Sequence, residues 1–562
     1  MRMRTLALCL ALGVAAAAAG PTAGRRLTPE QALNLRRISD LRFSPNGARL
    51  AFVVSEPVKG TDNFRHIWLL DMSTHQARQY SWSSKSEDSP RWSPDGNTLA
   101  LLSDRDGNRQ IYLMPSAGGD AYPITSGKRS IASYAWAPDG QHIAFLAPDA
   151  PTAAETKKKD SKDDAIVVDQ DRKPARVWLL DVATKQARVL TDERWSVREL
   201  VWEPSGKSLI LAATNRPTSD DNTLGIYRLP VTGGKLQRLV QPTGPIGDVH
   251  ISADGKQIAY LASPDGGPEP HDVFVRSVDA PPGQPSQDLT AESLDRAMNG
   301  IAWMRDGSLV AEAQQGFGTA LYRIQIGGSA AAITEAAPNP RSYAIAPNGS
   351  IAFVGQTGTR PPEVYMAAPH DAPTRVSDVN ASWAGVELSR PQPFHYATFD
   401  GLQIEGRWLK PLGATGSGPF PLVVLVHGGP TGAWSDSIEA WGQLLAAHGF
   451  AAAYFNIRGS TGYGAQFMES NRADWGGADF KDVMAGVDYL VKQGIADPQR
   501  LGIGGWSYGG YMSEWAITQT NRFKAAVSGA GMVDLIAEFN TENGPSYDKW
   551  FWGLPYDKPQ PM

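Results

Sequence analysis

The chain has 562 residues, 53 Lys+Arg against 58 Asp+Glu for a net charge of -5, 42% hydrophobic residues and one cysteine. Ordinary apolar and charged fractions exclude disorder and a collagen-like repeat, and the slight acidic excess excludes the basic face that a nucleic-acid partner would require. At roughly 150 residues per domain the length predicts two to four domains, or two large ones. The 17 Trp, 57 Gly and 41 Pro lean toward many strands joined by tight turns.

Arg2 and Arg4 precede an apolar run, Thr5 to Ala19, that ends in small residues at Ala17, Ala18, Ala19 and Gly20. This pattern predicts a signal peptide over residues 1–23 and an exported protein, periplasmic or secreted. A membrane span needs about 20 apolar residues, so the shorter run is expected to give no stable membrane anchor. Cys9 falls inside this segment behind Leu8, not behind the small residue that a lipoprotein site would want. The mature chain is then expected to have no cysteine, hence no disulfide, thiolate metal site or thiol nucleophile. Thr28-Pro29-Glu30 reads as an N-cap followed by proline at the first helical position, starting a short helix through about Arg37.

One pattern then recurs: an apolar or aromatic strand, a Ser/Ala-Pro-Asp/Asn-Gly type of turn, and a second apolar strand. The copies are Leu41-Arg-Phe-Ser-Pro-Asn-Gly47, Pro90-Arg-Trp-Ser-Pro-Asp-Gly96, Tyr134-Ala-Trp-Ala-Pro-Asp-Gly140, Leu200-Val-Trp-Glu-Pro-Ser-Gly206, Val249-His-Ile-Ser-Ala-Asp-Gly255, Ile301-Ala-Trp-Met-Arg-Asp-Gly307 and Tyr343-Ala-Ile-Ala-Pro-Asn-Gly349. Proline presets φ, Asp or Asn bonds its own backbone, and glycine takes the positive φ that ends the turn. The turn glycines are spaced by 49, 44, 66, 49, 52 and 42 residues, the period of one four-stranded propeller blade. Residues 24–385 are therefore expected to form a seven-bladed β-propeller. The longest gap holds Lys157-Lys-Lys-Asp-Ser-Lys-Asp-Asp164, read as a solvated loop because acids interleave with the lysines. These repeats resemble the propeller repeats of TolB and of the prolyl oligopeptidase family, a likeness that speaks to fold and not to function.

Residues 386–562 read differently. Tyr396 to Gly406 forms a hairpin around Asp400-Gly401, and a Gly/Ser/Pro stretch, Gly413 to Pro419, leads into Leu422-Val-Val-Leu-Val426. A run that is apolar at every residue is a strand covered on both faces, and Ala451 to Phe455 has the same character. Trp441 to His448 has helical spacing. A longer helix opens at Asp479 with Val483, Val487, Leu490 and Val491 on one face. Strand-helix alternation predicts a parallel α/β sheet, and the elbow motif that follows makes it the sheet of an α/β-hydrolase domain.

An apolar strand from Arg500 runs into Gly505-Trp506-Ser507-Tyr508-Gly509, and Met512 to Thr518 continues as a helix. Gly-x-Ser-x-Gly between strand and helix is the nucleophile elbow, in which the serine occupies a strained turn and the glycines remove clashing side chains. His427-Gly428-Gly429-Pro430 ends the buried strand at Val426. In this fold an N–H from that loop and one from the residue after the serine bind the oxyanion, so Gly429 and Tyr508 are the expected donors. His427 is read as a structural histidine holding the loop, in preference to a general base.

The C-terminal third resembles the prolyl oligopeptidase family of serine peptidases, near its acylaminoacyl-peptidase and dipeptidyl-peptidase branches. The matching segments are His427-Gly-Gly-Pro430, Asn456-Ile-Arg-Gly-Ser-Thr-Gly-Tyr-Gly464, Gly504-Gly-Trp-Ser-Tyr-Gly-Gly-Tyr511 and Asn521 to Gly531, the last resembling the strand that follows the elbow. The resemblance implies that Ser507 is the acyl-enzyme nucleophile, that peptides are the substrates, and that the propeller restricts access to short or unfolded ones. Such a hydrolase presents its triad in the order Ser, Asp or Glu, His, yet only 55 residues follow Ser507 and none is histidine. Asp534, Asp548 and Asp557 remain, but none follows an apolar strand of the kind that carries the triad acid. The hydrolase domain is thus expected to be incomplete at its C-terminus, with the triad Asp and His absent and activity low, since an alcohol without a base is a poor nucleophile. Three functional readings stand: an exported serine peptidase, a non-catalytic peptide-binding propeller with a degenerate hydrolase remnant, and a carboxylesterase. No cofactor is expected, and no metal site, because the histidines are scattered and none pairs with another at ligand spacing.

Overall fold

The computed structural model describes residues 24–556 apart from residues 59, 164, 168–172, 218–222, 242–243, 264–265, 269–270, 282, 335–337, 369–370 and 543. The expected signal peptide, with Cys9, and Asp557 lie outside the described residues. Seven four-stranded antiparallel sheets follow one another along the chain, each built from four consecutive strands, from Ile38–Phe43 in the first to Thr374–Arg375 in the seventh. From the first blade to the sixth the first strands of successive blades touch, the seventh blade's first strand packs on Leu309–Gln315 and Gly318–Ile324 of the sixth, and it also touches the first strand of the first blade, so the blades close into a ring. The chain's entry and exit are stitched together by the parallel pair Arg25–Arg26 with Val386–Glu387.

The recurring turn motif joins blade to blade as well as reversing the chain. Trp92 Nε1 donates to Arg42 O, Trp136 Nε1 to Arg91 O and Trp202 Nε1 to Ala135 O, each at 3.1 Å and each across to the preceding blade. The turn glycine packs on the turn proline of the blade before it. A Cβ on Gly96 would lie 3.3 Å from Pro45 Cδ, and one on Gly47 would lie 3.2 Å from Pro347 Cδ, which carries the contact across the ring closure. The fifth turn has Ala253 in place of proline, and Gly307 of the sixth blade correspondingly meets nothing within 4 Å. Trp303 Nε1 of that blade is buried without a hydrogen-bond partner.

Two expectations need correction. The helix after Thr28 covers only Pro29–Leu33, because its capping box starts it but Asn34 already ends it. The lysine-rich insertion is not simply a loop: Ala153–Asp160 is a helix begun by a capping box between Thr152 and Glu155, with no buried residue. The segment is as polar as expected, and Thr152-x-x-Glu155 is the start signal that makes it helical.

The second domain is a six-stranded sheet in the spatial order Gln392–Ala397, Gln403–Leu409, Ala451–Asn456, Phe420–Val426, Ala496–Trp506, Phe523–Gly529. The first two strands form the expected hairpin and pair antiparallel, and the last four run parallel. Helix Ala478–Lys492 buries Val483, Val487 and Leu490 against the sheet, and Val491 lies only half-buried beside them. Helix Ala440–Ala447 covers the residues expected to be helical ahead of His448. The outer strand Phe523–Gly529 leaves residues 524–528 exposed.

Candidate active site

Strand Ala496–Trp506, next to the outer strand of the sheet, runs directly into helix Tyr508–Gln519, and Ser507 is the turn between them at φ 57°, ψ -123°. That backbone region is uncommon for a residue with a Cβ. It is held by Ser507 N–H donating to Gly529 O at 2.8 Å and by Tyr511 N–H donating to Ser507 O at 3.0 Å. The neighbouring glycines are required by space: a Cβ on Gly505 would lie 2.5 Å from Val426 O, and one on Gly509 would run into the same carbonyl. The helix begins four residues earlier than the sequence suggested, so Tyr508 is its first residue and its N–H belongs to the unpaired first turn.

The loop after Phe420–Val426 packs directly on this turn. A Cβ on Gly428 would sit 3.4 Å from Ser507 Cβ, and Gly429 has φ 120° with no room for a side chain beside Thr431 N and Gly432 N. Ser507, Tyr508 and the Gly428-Gly429 loop are therefore brought together. A cleft of about 370 Å³ opens beside them, lined in part by Gly428, Trp434, Trp441, Gly505 and Trp506.

His427 is buried. Its Nδ1 lies 2.9 Å from Gly428 O in its own loop and its Nε2 lies 2.8 Å from Ser460 Oγ in the loop after strand Ala451–Asn456, so both ring nitrogens are engaged. Burial holds it down to about 4, against the opposing pull of the Gly428 carbonyl, so it is neutral at physiological pH. Asp534 caps helix Leu535–Thr541 by accepting from Ile536 N and Ala537 N, each at 3.0 Å. Asp548 is buried in helix Pro545–Trp552, where burial and then Glu542 and Glu538 raise it to about 7. Among the described residues no group of three or more His, Cys, Asp or Glu is arranged to hold a metal ion. Nor is any helix among them long and apolar enough to cross a membrane.

Supporting residues that the sequence did not single out surround the turn. Asp479, fully buried, accepts the Tyr508 hydroxyl at 2.5 Å. Asp482 accepts from Arg458 N at 3.1 Å, Nε at 2.8 Å and Nη2 at 2.9 Å. Asn456 grips Trp434 from both sides, accepting from its N–H at 2.7 Å and donating to its carbonyl at 3.1 Å. The available signal was carboxylates on the apolar stripe of a helix, since Asp479 and Asp482 share the buried face with Val483 and Val487.

The propeller reaches this region. The hairpin tip at Gly316-Phe317 of the sixth blade enters the second domain, with Gly316 N–H donating to Gly462 O at 2.9 Å and Phe317 buried against Tyr454, centroids 6.1 Å apart. Trp434 to Asp436, just after the glycine loop, are bonded by Gln314 Nε2 to Trp434 O at 2.9 Å and by Asn339 Nδ2 to Asp436 O at 2.8 Å.

Residues 437–560 match the prolyl oligopeptidase family, residues 37–168 match the TolB beta propeller domain, and residues 121–359 match the lipoprotein LpqB beta-propeller domain. The uncharacterized peptidase YuxL of Bacillus subtilis is 28% identical, over 94% of this chain and 86% of its own length. Dipeptidyl-peptidase 5 of Porphyromonas gingivalis is 23% identical, over 96% of this chain and 83% of its own. Among solved structures, Pyrococcus horikoshii acylaminoacyl peptidase superposes with a TM-score of 0.77 at 21% identity, covering 93% of this chain and 82% of that one. The fold, a seven-bladed propeller followed by an α/β-hydrolase domain, is the one expected from the sequence.

Proposed function

For a chain that carries a prolyl oligopeptidase family domain behind a seven-bladed propeller, we propose serine-peptidase activity on short peptides, with Ser507 forming the acyl-enzyme. The single observation that carries the reading is Ser507 itself: a serine at φ 57° between strand and helix, packed against a loop whose Gly429 admits no side chain. Ser507 Oγ attacks the scissile carbonyl, the amine leaves, and water hydrolyses the ester. The N–H groups of Tyr508 and Gly429 bind the oxyanion at each tetrahedral stage. Export, and restriction of access to short or unfolded peptides by the propeller, belong to the same reading.

Ser507 needs a proton acceptor. No histidine lies in residues 508–562, and His427 is engaged at both ring nitrogens. The reading accordingly assigns Ser507 no general base among residues 508–562. The same observation favours a second reading, a non-catalytic peptide-binding propeller. Intact mass of the protein from its natural source, followed by a fluorophosphonate probe and peptide mapping, separates the two. An adduct on Ser507 that Ser507→Ala abolishes is the expected result. Peptide binding without turnover or adduct in the natural form would establish the second reading and sink the first.

A further inference from the structure

Helix Ala478–Lys492 presents two buried aspartates, Asp479 and Asp482, three residues apart and so on one face. Each holds a different wall of the candidate site. Asp479 Oδ2 accepts the hydroxyl of Tyr508 at 2.5 Å, while the Trp475 ring meets the Tyr508 ring edge-on at 4.9 Å. A buried ring fixed at its tip and on its face fixes the backbone that bears it, and that backbone carries the N–H next to Ser507.

Asp482 reaches the other wall through a longer chain of contacts. Its carboxylate takes three bonds from Arg458, at the head of the loop that follows strand Ala451–Asn456. Two residues on, Ser460 Oγ lies 2.8 Å from His427 Nε2, and Thr461 N–H donates to Gly432 O at 3.2 Å. His427 leads directly into Gly428 and Gly429, so the second N–H group is referred to the same helix.

We infer that Asp479 and Asp482 are paired positioning residues, and that one face of one helix sets the spacing between the Tyr508 and Gly429 N–H groups at Ser507. The inference rests on the proposed peptidase reading. An oxyanion hole requires both donors within about 2.7–3.1 Å of one oxygen, and a misplacement of about 1 Å costs about 100-fold in rate. The two donors sit on separate loops after separate strands, and a shared rigid reference removes the need for each loop to be stiff alone. Neither aspartate touches the substrate.

The test is the saturation kinetics of Ser507 phosphonylation by a fluorophosphonate probe in the full chain from its natural source, with thermal melting of every variant. Tyr508→Phe deletes the hydroxyl, Asp479→Ala deletes its acceptor, and Asp479→Asn keeps an amide oxygen that can still accept. Tyr508→Phe and Asp479→Ala should each lower the maximal labelling rate about 10-fold or more, with half-saturation unchanged. The double variant should be no slower than either single, because both remove one bond, and Asp479→Asn should recover most of the rate. On the other arm, Ser460→Ala should also slow labelling, and should multiply with Tyr508→Phe. Cutting the buried Arg458–Asp482 pair directly strands a buried charge and threatens the fold, which is why Ser460 reports on that arm. Folded Tyr508→Phe and Asp479→Ala proteins that label at the wild-type rate, or whose effects multiply, would overturn the inference and leave the peptidase reading standing. A wild-type protein in which Ser507 does not label overturns both.

Discussion

Asp479 and His427 titrate in opposite senses, although both are buried beside the same turn. Burial raises Asp479 to about 7; the Tyr508 hydroxyl and Phe480 N–H pull it down, and Asp474 and Asp482 push it up. Between about pH 4, where the unfolded carboxyl ionises, and about pH 7, the native state holds a proton that the unfolded chain has lost. Stability from this group is thus complete at low pH and is lost as pH rises through that window, by at most about 1.4 kcal/mol per pH unit. His427 behaves conversely: its unfolded ring takes a proton near 6.5 while the folded ring resists until about 4, so its contribution is lost as pH falls. Asp548 adds a second carboxyl raised to about 7, which means that a wild-type profile alone cannot isolate Asp479. The difference between wild type and Asp479→Asn does isolate it, because the amide keeps the Tyr508 bond and cannot ionise. Urea unfolding from pH 5 to 8 should show the variant gaining on wild type as pH rises, and parallel profiles would remove Asp479 as the titrating group.

At the scale of the element, the turn repeat carries two kinds of information, of which only one was legible. Proline, Asp or Asn, and glycine dictate a turn through their own backbones, so seven copies could be counted directly from the chain. The tryptophan of the motif bonds a carbonyl 45 to 67 residues earlier, and no local rule announces such a partner. The elbow divides in the same way. Gly505 to Gly509 is readable because its strain is local, whereas Asp479 and Asp482 act on residues 29 and 24 positions away, which no local pattern announces. The bonding of the repeat can be tested by contrast. Trp136→Phe removes a bond to Arg91 O, whereas Trp303→Phe removes an indole N–H that has no partner. A buried acceptor left unpaired costs about 1–3 kcal/mol, and the two substitutions delete the same ring area. Trp136→Phe should therefore be about 1–2 kcal/mol more destabilising by chemical denaturation, and equal losses would show that the repeated indole bond contributes nothing.

For the whole molecule, the propeller bears on the chemistry proposed for the other domain through contacts beside the Ser507 turn. Among several bonds between the domains, those nearest the site are specific: the sixth-blade hairpin tip enters the hydrolase domain, and the sixth and seventh blades bond Trp434 to Asp436 through Gln314 and Asn339. Those three residues continue the loop that carries Gly429, so the propeller adds a second constraint to the wall that Asp482 holds through Arg458 and Ser460, while Asp479 alone holds the Tyr508 wall. Gly316 is the position on which this insertion depends. It has φ 58°, donates its N–H to Gly462 O, and a Cβ there would lie 2.5 Å from Glu405 Oε2. Gly316→Val adds a β-branched side chain where the positive φ disfavours it and where its Cβ must displace the Glu405 carboxylate, while each domain keeps its own core. The expected outcome is selective uncoupling. Calorimetry should resolve two unfolding transitions in place of a coupled one, and Ser507 in the natural protein should label several-fold more slowly although the hydrolase domain stays folded. An unchanged single transition with wild-type labelling would mean that the blades merely abut the hydrolase, and that the loop geometry at Gly429 is set within that domain alone.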